Sequence, residues 1–202
     1  MKPGPSPRRM SAKRSVARIS LERELLRHFA RLEPGVVLDV GSKRSPYRDK
    51  IPHTRYLRLD IDPRRQADLC CDIQDIRSEP EAFDTVIATE VLEHVREPQR
   101  AVDEIRRVLK PGGVCILSTR FMHPIHGDPH DYYRFTWDSL RHLFRAFTSV
   151  EVHHHGNRLQ ALWQLCEHGR LKPLFLLLSP LVAGVHVRKT KTPLGFVVYA
   201  VK

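Results

Sequence analysis

The sequence lacks the Gly-x-Gly-x-x-Gly fingerprint with which dinucleotide-binding folds bring backbone amides against a pyrophosphate. It also lacks any Cys-x-x-Cys spacing, and three of its four cysteines fall in or beside predicted strands, as small core residues do. No apolar core follows Arg8 and Arg9, so neither a secretory nor a twin-arginine signal is predicted. The missing patterns argue against an NAD-dependent oxidoreductase, and a reducing cytoplasm is the predicted compartment.

Negative charge is also scarce, since the net charge is +11 and the sequence pI is about 9.9. The 202 residues are 41% hydrophobic and 28% charged, which suits one globular domain, predicted over 15–202. Residues 1–14 are rich in lysine, arginine and proline and are predicted to be a disordered basic tail. The tail is interpreted as solvated, and contact with nucleic acid or anionic lipid is the alternative.

Two apolar runs that each end at an acid form the most informative stretch, residues 36–62. The run 36–38 leads to Asp39 and a turn at Gly41, and the run 56–59 leads to Asp60. This spacing predicts a strand–helix–strand unit with a carboxylate at the end of each strand. In an open parallel sheet that edge binds nucleoside-containing ligands, and the second acid accepts hydrogen bonds from the ribose. For Asp39 and Gly41 alone, a buried strand ending in a turn is an equal explanation.

A second ordered pattern covers residues 84–119. A short strand is predicted over 85–88, and Pro98 suits the first turn of a helix. Apolar residues at 101, 102, 105, 108 and 109 follow helical spacing, and Lys-Pro-Gly-Gly at 110–113 is predicted to end that helix. A buried strand is predicted over 114–119.

Six motifs then occur in one order: LDVG (38–41), LDID (59–62), CDIQD (71–75), FDTVIATEVLEHV (83–95), RVLKPGG (107–113) and HGDPHDYYRFT (126–136). In this order the chain resembles the class I S-adenosylmethionine-dependent methyltransferases, in particular the type 11 branch that includes quinone- and small-molecule-methylating enzymes. The resemblance implies a Rossmann-like three-layer α/β sandwich. Its mostly parallel sheet would end in one antiparallel strand, the run 195–201. The implied activity is methyl transfer from S-adenosylmethionine to a small-molecule or lipid-linked acceptor.

The resemblance also implies the residues that bind the cofactor. They are Asp39, Gly41, Thr89 and Glu90 for the methionine part, Asp60 with Asp62 for the ribose, and Asp72 with the backbone of Ile73 for the adenine. One position departs from the family, because Lys43 stands where relatives usually carry glycine. An ammonium near a sulfonium is unfavourable unless it reaches solvent. A non-catalytic methyltransferase-like binding module is therefore an alternative function.

The loop after the predicted strand 114–119 contains the densest mixture of polar and aromatic residues. His126 and His130 are candidate general bases, and Asp131 is the carboxylate that would orient the site. Substrate-binding candidates follow directly: Tyr132 and Tyr133 as aromatic walls, and Arg134 as an anion ligand or a support for the loop. The alternative is that Asp131 and Arg134 form a structural pair while the tyrosines pack the loop. Glu93 and His94 could also form a catalytic pair, but the resemblance places them in the helix that follows the fourth strand, so a structural or pocket-lining role is expected.

Thr136 is predicted to cap a helix whose apolar stripe is Leu140, Leu143, Phe144 and Phe147. The remaining strands are predicted over 150–154 and 195–201. The apolar segment 171–187 between them is too short to span a bilayer. It is interpreted as a lid or core segment, with peripheral contact to a membrane surface as the alternative.

No metal site is predicted, because His153, His154 and His155 lie on a strand, where side chains alternate between faces. The charge of +11 leaves nucleic-acid methylation as a further alternative. Against it, the chain lacks the Asn/Asp-Pro-Pro-Tyr/Phe run that many base-methylating enzymes carry after the fourth strand.

Overall fold

The structure is a computed structural model that describes residues 14–41, 44–127, 130–166, 171–185, 187 and 190–202. The strands in these residues are β1 Gly35–Val40, β2 His53–Asp60, β3 Leu69–Cys70, β4 Phe83–Thr89, β5 Leu109–Arg120, β6 Ser149–His155 and β7 Gly195–Val201. They form one sheet in the order β3-β2-β1-β4-β5-β7-β6. Strand β7 runs antiparallel to β5 and β6, and the other neighbouring pairs are parallel. The predicted Rossmann-like fold, with 195–201 as its antiparallel strand, is confirmed.

The described helices are α1 Val16–Phe29, α2 Pro98–Val108, α3 Trp137–Leu143, α4 Arg158–Cys166 and α5 Lys172–Ala183. Three of them begin at the signals expected for helix starts. Ser15 accepts a hydrogen bond from the Arg18 backbone N–H, α2 begins at Pro98, and Thr136 caps α3 as predicted. The predicted stripe is buried throughout, but Phe144 and Phe147 follow the end of α3 and pack from the connecting turn.

Two apolar cores cover the two faces of the sheet and give the three layers. In β1, Leu38 and Val40 belong to the core under α2 and α3, while Val37, which precedes Leu38, belongs to the core under α1. Because successive side chains of a strand point to opposite faces, this alternation shows that the cores lie on opposite sides of the sheet.

The prediction of a helix between β1 and β2 is wrong for the described part of this connection. Residues 44–52 contain only a 3₁₀ turn, Arg48–Lys50. Proline at 46 and 52 removes two backbone donors, and Ser45 adopts a left-handed φ of 47°, so a continuous helix cannot form. Helix α1 covers this face instead, and Tyr47 is buried with its ring 5.7 Å from that of Phe29.

Two boundaries also differ from the sequence predictions. Helix α2 ends at Val108 and β5 begins directly at Leu109, so residues 110–113 form the first part of the strand. Only glycine fits at 113, because a Cβ there would lie 2.8 Å from the Lys110 carbonyl oxygen. After β4, the predicted helix is a 3₁₀ turn, Leu92–His94, which places Glu93 and His94 close to the end of the strand.

The apolar segment before β7 forms α5, which continues through Pro180 and packs against α1 and α4. Its role as a lid stays a prediction. None of the described helices is long and apolar enough to cross a membrane. Most of the predicted basic tail and Lys43 lie outside the described residues; Arg14 is described and forms an ion pair with Glu22.

Candidate active site

The ends of three parallel strands bring the predicted cofactor residues to one edge of the sheet. Asp39 is the next-to-last residue of β1, Asp60 is the last of β2, and Thr89 is the last of β4. Val40 pairs in register with the residues just before Asp60 and Thr89, so these two positions flank Gly41. This edge is where open α/β sheets bind their ligands.

Asp39 is buried, and its carboxylate has a partner that the sequence analysis missed. The hydroxyl of Tyr56 donates a hydrogen bond of 2.8 Å to Asp39 Oδ2. Burial raises the pKa of Asp39 to about 6, and the hydrogen bond from Tyr56 limits the rise. Asp39 is therefore fixed within the sheet edge and supports the turn at Gly41.

Gly41 is required by its conformation and by its neighbours. Its φ is +63°, in the left-handed region, and its N–H donates a 2.8 Å hydrogen bond to the Leu59 carbonyl. A Cβ at this position would lie 2.5 Å from Val91 Cγ2. The turn after β1 thus packs closely on the segment after β4.

The three acids assigned to ribose and adenine have different environments. Asp60 is buried, and its Oδ1 accepts a 3.0 Å hydrogen bond from the Asp62 backbone N–H. Asp62 caps the 3₁₀ turn that follows and pairs with the Arg64 side chain, which lowers the pKa of Asp62. Asp72 accepts two hydrogen bonds of 2.9 Å from Gln74. Asp62 and Asp72 therefore both stabilise local turns, and Asp60 is the buried acid at the edge.

Two apolar residues accompany these acids. Ile61 lies between Asp60 and Asp62 and is 62% exposed, although its neighbour Asp60 is buried. Ile73 belongs to the core under α2 and α3, so its backbone is held firmly next to Asp72. Ile61 was not among the site residues predicted from the sequence. The signal that could have indicated it is an apolar residue between two acids at the end of a strand.

The end of β4 leads into a buried acidic pair joined by one arginine. Glu90 has a left-handed φ of 57° and forms an ion pair with Arg120, the last residue of β5. Glu93 is fully buried, and its Oε1 lies 3.7 Å from Arg120 Nε. Burial raises the pKa of both carboxyls, and the charge of Glu90 raises that of Glu93 further. The positive charge of Arg120 opposes the rise in both pKa values. Arg120 was not among the site residues predicted from the sequence.

One oxygen of each of these acids has no hydrogen-bond partner among the described residues. The two atoms are Glu90 Oε1 and Glu93 Oε1, and both are buried. Buried polar atoms are usually satisfied, so such a pair at a sheet edge calls for a ligand or an ordered water. The acidic pair therefore belongs to the candidate site.

In the loop after β5, Asp131 and Arg134 form an internal pair. The Asp131 side chain is 3% exposed and accepts hydrogen bonds from Arg134 Nη2, at 2.7 Å, and from the His126 backbone N–H, at 2.9 Å. The Arg134 guanidinium holds the pKa of Asp131 well below its usual range. These contacts favour the structural alternative for this pair, which fixes the position of His126.

The structure separates the two candidate bases of the loop. The His126 ring lies 4.9 Å from that of His94, the neighbour of Glu93, and burial together with Arg120 lowers the pKa of His126. His130 is exposed, and its carbonyl contacts His94 Nδ1. Only His126 is therefore brought to the acidic pair.

The two tyrosines of the loop are anchored at one end and partly open to solvent. The Tyr132 N–H donates a 2.8 Å hydrogen bond to the Glu93 carbonyl, and the Tyr133 hydroxyl donates one of 3.0 Å to the Arg96 carbonyl. Each tyrosine is 39% exposed. The pair thus flanks the turn of Glu93 with aromatic surface that remains accessible.

Arg18 on α1 is a further cation near this edge. Its guanidinium lies 5.1 Å from the centroid of the Tyr47 ring, and its charge opposes the rise that burial causes in the pKa of Glu90. Arg18 was not among the site residues predicted from the sequence. Only the packing of α1 against the connection between β1 and β2 brings it to the site.

Two groups of side chains have the spacing of metal ligands among the described residues. They are Glu93, His94 and His126, and Glu24, His28 and His153, and within each group the ligand atoms lie within 4.8 Å of one another. An arginine contacts an acid of each group, Arg120 in the first and Arg27 in the second, and its charge opposes the binding of a cation. His153 contacts His28 on α1 while His154 contacts Trp137 on α3, so the predicted alternation of these histidines is confirmed.

Comparison with known proteins agrees with this geometry. Residues 39–117 match the family described as "Methyltransferase domain". A ubiquinone biosynthesis O-methyltransferase of Psychrobacter cryohalolentis is 50% identical over 42 residues, which are 21% of this chain and 16% of that protein. One of Cereibacter sphaeroides is 39% identical over 72 residues, 36% of this chain and 27% of that protein. The matched stretches thus span less than a third of these relatives.

A solved structure extends the likeness to nearly the whole fold. A SAM-dependent methyltransferase of Thermotoga maritima, described as a possible histamine N-methyltransferase, superposes with a TM-score of 0.60 at 15% identity. The superposition covers 93% of this chain and 91% of that one, and at this identity it shows the fold alone. Together with the match over 39–117, it confirms the resemblance that the six motifs predicted. Residues 39–117 thus match the methyltransferase domain family, and the described fold is the Rossmann-like fold of S-adenosylmethionine-dependent methyltransferases.

Proposed function

We propose that this chain transfers a methyl group from S-adenosylmethionine to a small-molecule or lipid-linked acceptor. The observation that supports it most is the pair of buried oxygens, Glu90 Oε1 and Glu93 Oε1, that have no hydrogen-bond partner among the described residues and lie at the edge that also carries Asp39 and Asp60. Carboxylates in a low-dielectric site attract a sulfonium cation strongly. Bound there, S-adenosylmethionine supplies an electrophilic methyl group.

The cofactor would lie along the ends of β1, β2 and β4. Asp60 would accept hydrogen bonds from the ribose hydroxyls, because it is the buried acid at the end of β2. The exposed side chain of Ile61 forms a wall for the adenine, next to Asp72 and the Ile73 backbone. Asp39, Gly41, Thr89 and Glu90 enclose the methionine part. The role left for Asp62 is to hold the turn after Asp60.

The acceptor would bind on the side of β5. His126 takes the acceptor proton, since its lowered pKa keeps the imidazole neutral near neutral pH. Burial raises the pKa of Glu93 to about 8, and a cation formed on the nearby His126 ring would favour the ionised form of this acid. The pair of Asp131 and Arg134 fixes the loop that carries His126. Tyr132 and Tyr133 form the outer walls. Because methyl transfer is an in-line displacement, holding the acceptor in position supplies much of the rate.

The class of acceptor is supported by the curated relatives. They are named ubiquinone biosynthesis O-methyltransferases, a name that denotes methylation of a small molecule at oxygen. A hydroxyl acceptor carries a proton that must leave, and the neutral imidazole of His126 can accept it as a general base. A small-molecule or lipid-linked hydroxyl is thus the acceptor that we infer for this chain.

Calorimetric titration with S-adenosylmethionine tests the first half of the proposal. Binding is expected for the wild type and is expected to weaken for Glu90→Gln. Absence of binding by the wild type would contradict the proposal and leave the non-catalytic alternative, which rests on Lys43, a residue outside the described ranges.

Methyl incorporation tests the second half. The protein is incubated with methyl-labelled cofactor and separate lipid, glycan, RNA and small-molecule fractions of a lysate, with His126→Ala as the matched control. Label in the lipid or small-molecule fraction that depends on His126 would support the proposal. Label in RNA alone would assign the protein to the nucleic-acid alternative suggested by the charge of +11.

A further inference from the structure

Helices α4 and α5 present apolar side chains to solvent. On α5, Leu174, Leu177 and Leu181 are 51%, 64% and 73% exposed, and their spacing places them on one face of the helix. The exposed apolar set, called the leucine face below, comprises Leu159, Leu162, Leu165, Leu171, Leu174, Leu177, Leu181, Val185 and Val187. Surface helices normally carry charged residues on their outer face, and large exposed apolar patches mark interaction sites.

The leucine face is held by specific packing on its inner side. The Trp163 and Phe175 rings lie 4.6 Å apart, and Trp163 Nε1 donates a 3.2 Å hydrogen bond to Ser179 Oγ, which is buried. The Gln160 side-chain amide and Arg23 of α1 both donate to the Ala183 carbonyl at the end of α5. The exposed leucines therefore belong to a fixed helix pair.

Basic residues flank and separate the apolar runs of this surface in the sequence. Residues 158–191 contain six lysines and arginines and one acid: Arg158, Arg170, Lys172, Arg188, Lys189, Lys191 and Glu167. Of the described members, Arg158, Lys172 and Lys191 are exposed. An apolar face with flanking cationic residues complements an anionic lipid surface, because the leucines enter the acyl region while the bases meet the headgroups. In contrast, docking against the same face of a second copy would bring like charges together.

The length of α5 defines the mode of contact. Its twelve residues extend over about 18 Å, well short of the roughly 30 Å of a bilayer core. The helix can therefore lie in the interface plane with one face buried, but it cannot cross the membrane.

We propose that the leucine face docks this protein on a membrane surface that contains anionic lipid. The chain enters α4, one of the two helices that carry the leucine face, from the sheet edge of the candidate active site, because β6 ends at that edge. His155 at the end of β6 pairs with Gly195, which also pairs with Arg120 at the end of β5. A docked molecule would hold this sheet edge close to lipid-linked acceptors. The docking itself requires neither cofactor nor methyl transfer, so its test is independent of the proposed function.

The test is co-sedimentation of the full chain with phosphatidylcholine vesicles, with and without phosphatidylglycerol. The wild type should sediment with the mixed vesicles, and less with pure phosphatidylcholine. The triple variant Leu174→Ser, Leu177→Ser, Leu181→Ser should lose binding by about tenfold or more, since it removes three inserted side chains. Leu26→Ser, at an exposed leucine of α1, is the matched control and should bind like the wild type.

A second variant keeps the test decisive if the triple variant does not fold. Lys172→Glu with Lys191→Glu changes only exposed residues and should weaken binding to mixed vesicles. The proposal is overturned if the wild type stays in the supernatant with both kinds of vesicle, or if folded variants bind as well as the wild type. Dimers in light scattering that the triple variant loses, without vesicle binding, would also overturn it by assigning the face to a second copy.

Discussion

Thr119 Oγ1 donates a hydrogen bond of 3.0 Å to Glu93 Oε2, and both side chains are completely buried. The bond joins the end of β5 to the turn after β4. It satisfies one carboxylate oxygen and leaves Oε1 without a hydrogen-bond partner among the described residues. A buried acid held in this way by the protein is poised to respond to a charge brought in by a ligand.

The Glu93→Gln variant should gain stability relative to the wild type as the pH rises. The pKa of Glu93 is higher in the folded state than in the unfolded state. At pH values between the two pKa values, the native state therefore binds more protons than the unfolded state. The wild type therefore loses stability as the pH rises from the pKa of Glu93 in the unfolded state, about 4.3, toward its pKa in the folded state. Urea unfolding of both proteins across this range checks the sign. A difference between them that does not change with pH would contradict the raised pKa.

Replacing His126 and His130 separately distinguishes the two candidate bases. His126→Ala should lower kcat by about a hundredfold, the usual size of general-base help, with cofactor affinity near wild type. His130→Ala is the matched control from the same loop and should keep its activity, because His130 is exposed and away from the acidic pair. Steady-state kinetics with the identified acceptor provide the measurement. Loss of activity only in the His130 variant would reverse the assignment.

Asp60→Asn should weaken binding of both S-adenosylmethionine and S-adenosylhomocysteine by about tenfold to a hundredfold, the size of a lost charge-assisted hydrogen bond. The amide oxygen can still accept the Asp62 N–H, so the melting temperature should change little. Calorimetry is the measurement, with Asp49→Asn, at an exposed aspartate, as the control. Unchanged affinity for both ligands would remove Asp60 from the ribose site.

Asp131→Asn should destabilise the fold by about 1.5–3 kcal/mol near neutral pH, because Arg134 loses its charged partner. The pKa of Asp131 is lower in the folded state than in the unfolded state. Its contribution to the free energy of unfolding is therefore complete above the unfolded-state pKa of about 3.9 and is lost as the pH falls below that pKa. The difference between wild type and variant should therefore shrink in acid. Asp138→Asn, at an exposed acid on α3, is the control for urea unfolding at both pH values. A difference that persists unchanged in acid would contradict the ion pair.

Local patterns in the sequence were sufficient to predict most of the strands and helices that carry the site. The apolar runs before Asp39 and Asp60, the cap at Thr136 and the strand 195–201 all lie where the structure has them, because alternation and capping depend on near neighbours. The connection between β1 and β2 did not follow this rule. There the spacing suggested a helix, but two prolines and the packing of α1 left only a 3₁₀ turn.

The sequence by itself determined the order of the elements, the acids at the strand ends and the resemblance to methyltransferases, because each depends on short motifs in a fixed order. Only the tertiary structure decided that Arg120 joins Glu90 and Glu93, that His126 rather than His130 approaches them, and that Asp131 pairs with Arg134. These pairings join separate strands or residues of an irregular loop, so no periodicity encodes them. Burial then sets their protonation, and burial is a property of the packed sheet edge rather than of any local stretch of sequence.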